Sequence, residues 1–176
     1  MSDRDDFEAR VVPHLDAAYN LARWLLRDER AAEDAVQEAA MRAFRYLDAL
    51  HGNEAKPWLL GIVRNTCFTA LERLRKTREV AGFEEEEFEF LQGADEDRRS
   101  DPAEQLQRTR ERIAIDAAIR TLPPTLREVI VLRELEDLDY AEIAKIASVP
   151  IGTVMSRLSR GRSKLREALR RAGVDK

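Results

Sequence analysis

The sequence predicts an all-α protein made of two small helical bundles, joined by an acidic flexible linker, with a helix-turn-helix in the second bundle. Apolar residues recur at three- and four-residue steps in 1–78 and again in 102–176, which is the period of a helix face. No segment keeps the alternation of a β-strand. Between the two regions, residues 79–101 are dominated by acidic side chains and have no regular apolar face. We therefore expect two domains, 1–78 and 102–176, and a linker at 79–101.

Three helices are predicted in the first domain. The first carries apolar residues from Phe7 to Leu25 on one face. Pro57 suits the first turn of the third helix, because an N–H at that position would have no intrahelical partner. The three helices are expected to end near Asp28, near Ala49 and near Arg78.

Four helices are predicted in the second domain, and the last two form the helix-turn-helix. Asp101 is placed as an N-cap before Pro102, so that the first of the four begins there. The four are expected at Pro102–Thr121, Thr125–Leu135, Asp139–Ala147 and Gly152–Ala172. A short helix, a tight turn and a longer basic helix form the arrangement that enters the DNA major groove.

The distribution of charge favours a polyanion partner for the second domain. The whole chain has a net charge of −4. Residues 79–105 carry 2 basic and 11 acidic side chains, whereas 106–176 carry 15 basic and 10 acidic ones. A basic face on the last helix is therefore expected to meet DNA, although a basic helix that merely solubilises its bundle is the alternative. The expected contacts are Thr153, Ser156, Arg157, Ser159, Arg160 and Lys164.

Two further surfaces are predicted on the first domain. On the third helix, Trp58, Ile62, Asn65 and Thr69 share a stripe that can hold an unstacked base, unless Trp58 is simply a core anchor. The helix ends in basic residues, including Arg73 and Lys76, that suit phosphates. On the second helix an acidic and apolar edge suits a basic partner, with a solvated helix face as the alternative. That edge consists of Asp34, Gln37, Glu38 and Met41.

Several classes of function are not expected. The chain has one cysteine, Cys67, and two histidines, His14 and His51, so neither a metal site nor a cofactor is predicted. The sequence shows neither a nucleophile paired with a base nor a glycine-rich phosphate loop, so an enzyme is not expected. Because no apolar run is long enough to span a bilayer and the start of the chain is acidic, we expect a cytoplasmic protein without membrane insertion.

Four motifs in order resemble those of bacterial sigma factors of the extracytoplasmic-function (ECF) group. They are AEDAVQEAAMRAF at 32–44, PWLLGIVRN at 57–65, LPPTLREVIVLR at 122–133, and YAEIA at 140–144 followed by GTVMSRL at 152–158. The resemblance covers both predicted domains and implies a dissociable specificity subunit of RNA polymerase that performs no covalent chemistry.

The resemblance also implies roles for individual residues. Asp34, Gln37 and Glu38, with Met41 beside them, would contact core RNA polymerase. The last helix would read the minus-thirty-five element of promoter DNA in the major groove. The residues expected at the minus-ten element, where an unpaired base would be captured, are His51, Asn53, Lys56, Trp58, Ile62, Asn65, Arg73 and Lys76.

Departures from the group and alternative functions are also part of the prediction. Thr69 and Met155 stand where many relatives have an acidic and a basic residue, respectively. The resemblance implies an anti-sigma protein as a further partner, with the chain monomeric when free or paired with that protein. A stand-alone helix-turn-helix regulator and a sigma-like decoy that titrates an anti-sigma protein are the alternative functions.

Overall fold

The computed structural model describes residues 2–81 and 101–174, and within these ranges all regular secondary structure is helical. The predicted all-α class is confirmed. Most of the predicted linker, residues 82–100, lies outside the described residues. Residues 79–81 continue the preceding helix.

The first domain contains four α-helices. They are α1 (Asp3–Arg10), α2 (Leu15–Leu26), α3 (Glu29–Arg45) and α4 (Ala55–Ala81). The prediction of a single first helix is wrong, because a 3₁₀ turn at Val12–His14 separates α1 from α2. Pro13 lies in that turn and has no N–H to continue an α-helix. A second 3₁₀ turn, Leu47–Ala49, follows α3.

The second domain also contains four α-helices. They are α5 (Pro102–Arg120), α6 (Pro124–Ile130), α7 (Tyr140–Ala147) and α8 (Ile151–Arg171). The predicted N-cap is confirmed, since the Asp101 side chain accepts a hydrogen bond from the N–H of Ala103. The helix predicted at Thr125–Leu135 changes character after Ile130, where a π-helical turn covers Val131–Leu135.

A stripe of small residues lets the helices of the first domain pack closely. Ala32, Ala35, Ala39 and Ala43 are all buried on one face of α3, which packs against both α2 and α4. Spacings of three and four residues place them in one line along the helix. Large side chains of the neighbouring helices fill the remaining core, among them Leu21, Leu25, Leu59 and Leu60.

The helix-turn-helix is built on α6 as well as on α7. Val154, Leu158 and Gly161 are buried on α8, as the periodicity predicts, and α8 packs against both of those helices. Gly161 faces Ile130 of α6 closely, which brings the two helix backbones together.

The two domains are in contact with each other. Helix α4 packs against α7 and α2 packs against α6, so that one continuous cluster of buried apolar residues runs from Val11 to Leu158. The sequence left this arrangement open, because a linker of this length permits both packed and separated domains.

No helix in the described part of the chain is both long and apolar enough to cross a bilayer.

The contact at Gly161 predicts that Gly161→Ala destabilises the fold. A Cβ at this position would lie 2.9 Å from Cγ1 and 3.1 Å from Cδ1 of Ile130. Overpacking of a well-filled core costs about 1–3 kcal/mol. Gly152→Ala is the matched control, since a Cβ there meets nothing within 4 Å. Urea unfolding should show a loss for the first variant and none for the second, and equal stabilities would contradict the packing.

The burial of Cys67 predicts an unreactive thiol. Its side chain is inaccessible, and burial raises the pKa of the thiol to about 12. Because the thiolate is the reactive species, the folded protein at pH 8 should not react with Ellman's reagent. In urea the single cysteine should react fully. Rapid labelling without denaturant would show that α4 opens far more readily than its packing indicates.

Candidate nucleic-acid and protein interfaces

The turn between α7 and α8 is fixed by local hydrogen bonds. Asp139 and Glu142 form a capping box at the start of α7, each side chain accepting a backbone N–H from the other residue. Ser148 ends α7 in the left-handed conformation, with φ of 55°. The N–H of Val149 then donates to the carbonyl of Ala144 at 3.1 Å. These contacts set the direction in which α8 leaves the turn.

Most of the predicted contacts on α8 lie on one accessible face. Ser156, Ser159, Arg160 and Lys164 are exposed, and Thr153 is half-buried. Arg160 and Lys164 have no ion-pair partner among the described residues. This face can therefore offer two cationic groups and two hydroxyls to a polyanion.

Arg157 differs from its neighbours on α8. Its side chain is only 20% exposed, and its Nη1 atom lies 3.7 Å from Oε1 of Glu128 on α6. The sequence places Arg157 on the DNA face, whereas the structure places it at the edge of that face, turned toward a buried carboxylate.

A groove along α4 brings several predicted minus-ten residues together. Asn65, Arg73 and Lys76 line it, and Phe68 and Arg64 form part of its wall. The guanidinium of Arg64 lies over the Phe68 ring at 4.0 Å from the centroid. Sequence reasoning missed Phe68 and Arg64, although the helical period places Phe68 three residues after Asn65. The groove combines an aromatic ring, an amide and cations.

Two other predicted residues on α4 lie closer to the core. Trp58 and Ile62 are half-buried and pack against the apolar cluster. Trp58 therefore lies on the core as an anchor, as the alternative interpretation held, and still leaves part of its ring accessible.

The loop before α4 is held by residues from both domains. Arg10 donates to the carbonyls of Leu50 and Gly52 at 3.1 and 3.0 Å. Gly52 has φ of 62°, a conformation that favours glycine. His51 and Asn53 are exposed within this loop. Lys56, in contrast, is paired with Glu136 of the second domain at 3.3 Å.

The acidic and apolar edge of α3 is accessible along its whole length. Asp34, Gln37, Glu38 and Met41 are all exposed, and Met41 is 62% exposed. Glu38 pairs with Arg42 of the same helix at 2.5 Å. Phe44, at the end of the same helix, is half-exposed and meets the Phe7 ring edge-on. The edge can therefore bury apolar surface as well as offer carboxylates.

Two adjacent charged residues of α6 connect the domains. Arg127 donates to the carbonyls of Trp24 and Leu25 at 3.1 and 3.3 Å. Glu128 accepts two hydrogen bonds from Arg64, at 2.8 and 3.2 Å. Burial lowers the pKa of Arg127 to about 10, so this side chain remains charged at neutral pH. Burial raises the pKa of Glu128, and the hydrogen bonds from Arg64 act in the opposite direction.

Metal-binding groups do not come together in residues 2–81 and 101–174. No three histidine, cysteine, aspartate or glutamate side chains in these ranges are placed to hold one ion.

Comparison with known families identifies both domains. Residues 11–77 match sigma-70 region 2, and residues 112–165 match sigma-70 region 4. The first match covers α2, α3 and the groove on α4. The second covers α6, the helix-turn-helix and the basic face of α8.

Individual relatives agree with this result. The chain is 34% identical over 176 residues to the ECF RNA polymerase sigma factor SigW of Bacillus subtilis, with 96% of this chain and 91% of SigW covered. It is 32% identical to the ECF RNA polymerase sigma factor SigE of Mycolicibacterium smegmatis over 90% of this chain, and it spans 60% of that relative's length.

A solved structure shows the same arrangement of helices. The sigma factor RpoE of Bartonella quintana, in complex with the anti-sigma factor NepR, superposes with a TM-score of 0.76 at 28% identity. The superposition covers 94% of this chain and 97% of RpoE. Both sigma regions match in order, and SigW aligns along nearly its whole length. The chain therefore belongs to the ECF group of RNA polymerase sigma factors.

Proposed function

We propose that this sigma factor uses three separate faces to direct RNA polymerase to promoters. The edge of α3 contacts core polymerase, the groove on α4 captures an unpaired base of the minus-ten element, and α8 reads the minus-thirty-five element. The observation that supports this division best is the groove on α4, where Asn65, Phe68, Arg73 and Lys76 lie together within the region 2 match. As a non-enzymatic factor, the protein acts through binding free energy alone.

Contact with polymerase is assigned to Asp34, Gln37, Glu38 and Met41. These side chains project from one exposed edge of α3 and suit a basic, partly apolar helix of the largest polymerase subunit. The apolar side chain of Met41 lies next to the polar side chains of this edge. Methionine is among the residues enriched at protein interfaces.

Promoter melting is assigned to α4 and the loop before it. A base that leaves the duplex loses its stacking and pairing, and a pocket that stacks and hydrogen-bonds the base offsets that loss. Phe68 can contact the face of the base, Asn65 can bond its edge, and Arg73 and Lys76 can hold phosphates. Trp58, nearer the start of α4, supports the site. Ile62 and the loop residues His51, Asn53 and Lys56 complete this proposed site.

Reading of the upstream element is assigned to α8. Arg160 is the best placed residue for a guanine edge, because it is exposed and carries a planar pair of donors. Ser156, Ser159 and Thr153 suit bases or phosphates, and Lys164 suits phosphate. Arg157 contributes to this face only at its margin, since its guanidinium is largely buried and turned toward Glu128.

The remaining proposals concern organisation and partners. We propose that residues 1–78 act on polymerase and the minus-ten element, that 102–176 act on the minus-thirty-five element, and that 79–101 link them. Because the proposed target of the protein is chromosomal DNA, we also propose a cytoplasmic location. An anti-sigma protein is a proposed regulator, by analogy with the complex of RpoE and NepR, and extracytoplasmic stress is the proposed signal.

Charge reversal on α3 tests the polymerase contact. In run-off transcription with cognate core polymerase and genomic fragments, the protein should produce discrete transcripts, and Asp34→Arg with Glu38→Arg should abolish them. Like charges brought together at an interface cost several kcal/mol. Asp16→Arg on α2, an equally exposed site, is the control and should leave transcription intact. Transcripts that survive the double reversal would contradict the α3 contact, and silence of the parent protein would favour a decoy.

Removal of one guanidinium on α8 tests upstream reading. Run-off transcription first maps a promoter that the holoenzyme uses. Arg160→Ala should weaken holoenzyme binding to that promoter by about 1–3 kcal/mol, the usual cost of losing a bidentate base contact. Arg108→Ala on α5 removes an equally exposed arginine outside the proposed face. Filter binding at fixed salt should separate the two variants. Equal affinities would remove Arg160 from the set of base contacts.

A further inference from the structure

Glu128 is a fully buried carboxylate that faces arginines from both domains. Its side chain is 0% exposed. Arg64, from α4 of the first domain, donates through Nε to Oε2 at 2.8 Å and through Nη2 to Oε1 at 3.2 Å. Arg157, from α8 of the second domain, approaches Oε1 with Nη1 at 3.7 Å. The carboxylate therefore has one partner across the interface and another within its own domain.

The two arginines hold Glu128 unequally. The Arg64 pair is bidentate and short, the geometry of a strong charge-assisted interaction. The Arg157 distance is too long for a hydrogen bond. Nη1 of Arg157 is also buried and has no hydrogen-bond partner among the described residues. A buried donor without a partner is unfavourable, so Arg157 gains when the carboxylate becomes available.

Separation of the domains would change which arginine is available. Arg64 would leave with α4, whereas Glu128 and Arg157 both remain in the second domain. Removing the partner of a buried charge is strongly destabilising. Arg157 can prevent this by a movement of about 1 Å, the difference between a 3.7 Å contact and a charge-assisted bond.

We propose that Glu128 is an interdomain clasp that exchanges partners: Arg64 holds it in a closed, autoinhibited chain, and Arg157 takes it over when the domains open. Burial of Glu128 in the closed form raises its pKa, whereas Arg64 and Arg157 lower it.

The closed form also engages one end of the proposed minus-ten surface, at Lys56, whereas the groove lined by Asn65, Arg73 and Lys76 stays open. Helix α7 packs against α4, and Lys56 pairs with Glu136. Glu54, in the same loop, pairs with Lys145 of α7 at 3.0 Å. This inhibitory consequence rests on the proposed function, whereas the clasp itself is a property of the free chain.

The other polar contacts between the domains are less suited to act as the clasp. Arg127 bonds carbonyls of α2, but it also bonds the carbonyls of Arg120 and Leu122 in its own domain and so needs no exchange of partners. Both partners of the Glu54–Lys145 pair are about two-thirds exposed, and exposed pairs contribute little. Glu136 is held by Lys56 and by Asn20, whose Nδ2 donates at 2.9 Å. Lys56 and Asn20 both belong to the first domain, and within residues 101–174 no arginine forms an ion pair with Glu136.

Small-angle scattering and amide hydrogen exchange of the free, full-length chain test the clasp. Arg64→Ala should increase the radius of gyration and lower the protection of the α7 amides at least tenfold. Arg75→Ala is the matched control, because Arg75 is on the same helix but pairs only with Glu72 and Glu79 of α4 among the described residues. An Arg64→Ala chain with the radius and protection of the control would overturn the clasp. Both readouts are independent of polymerase and DNA, so failure of the proposed function would not affect them.

A double-variant cycle tests the exchange of partners and remains informative if Arg64→Ala is less stable. Each single variant, Arg64→Ala or Arg157→Ala, leaves Glu128 one arginine. Removal of both leaves a buried carboxylate without a cation, so the melting temperature should fall by more than the sum of the single effects. Adding Glu128→Gln to the double variant should recover most of the excess. Additive effects without recovery would overturn the exchange.

Discussion

The fold depends on two adjacent charged residues of opposite sign, Arg127 and Glu128, both buried on the short helix α6. Arg127 donates to the carbonyls of Trp24 and Leu25 in the last turn of α2, and to those of Arg120 and Leu122 at the end of α5. A cation at these positions donates to carbonyls that helix ends leave without partners. It also interacts favourably with the negative ends of both helix dipoles. One guanidinium thus fixes the end of a helix in each domain.

The neighbouring carboxylate limits how the domains can be arranged. Glu128 points toward α4 and α8, so its two arginine partners belong to the helices proposed to contact promoter DNA. Apolar contacts favour burial in general but do not select one relative placement, because they are not directional. The charged pair on α6 supplies that direction. It explains why an extensive apolar cluster between the domains leads to one defined packing.

The sequence predicts the helices well where a single physical signal dominates. The capping acid Asp101 is placed correctly because a cap acts within one helix. The break at Pro13 was missed because apolar periodicity continues through the turn. Contacts such as Arg64 with Glu128 join residues far apart in the sequence, and no local pattern encodes them. The approach of Arg157 to Glu128 is also a contact between distant residues. The sequence pattern therefore places Arg157 with the exposed basic residues of α8.

Charged pairs beside the apolar contacts suit the separation proposed for the two domains. An interface made only of apolar side chains would expose them to water on opening, and the cost would grow with the area exposed. Lys56, Glu54 and Lys145 are already partly accessible in the closed form, so water can replace their partners at little cost. The carboxylate of Glu128 is the exception, because it loses a short ion pair when Arg64 leaves with α4. A second arginine beside it, Arg157 of α8, can take the place of Arg64, because it lies in the same domain as Glu128.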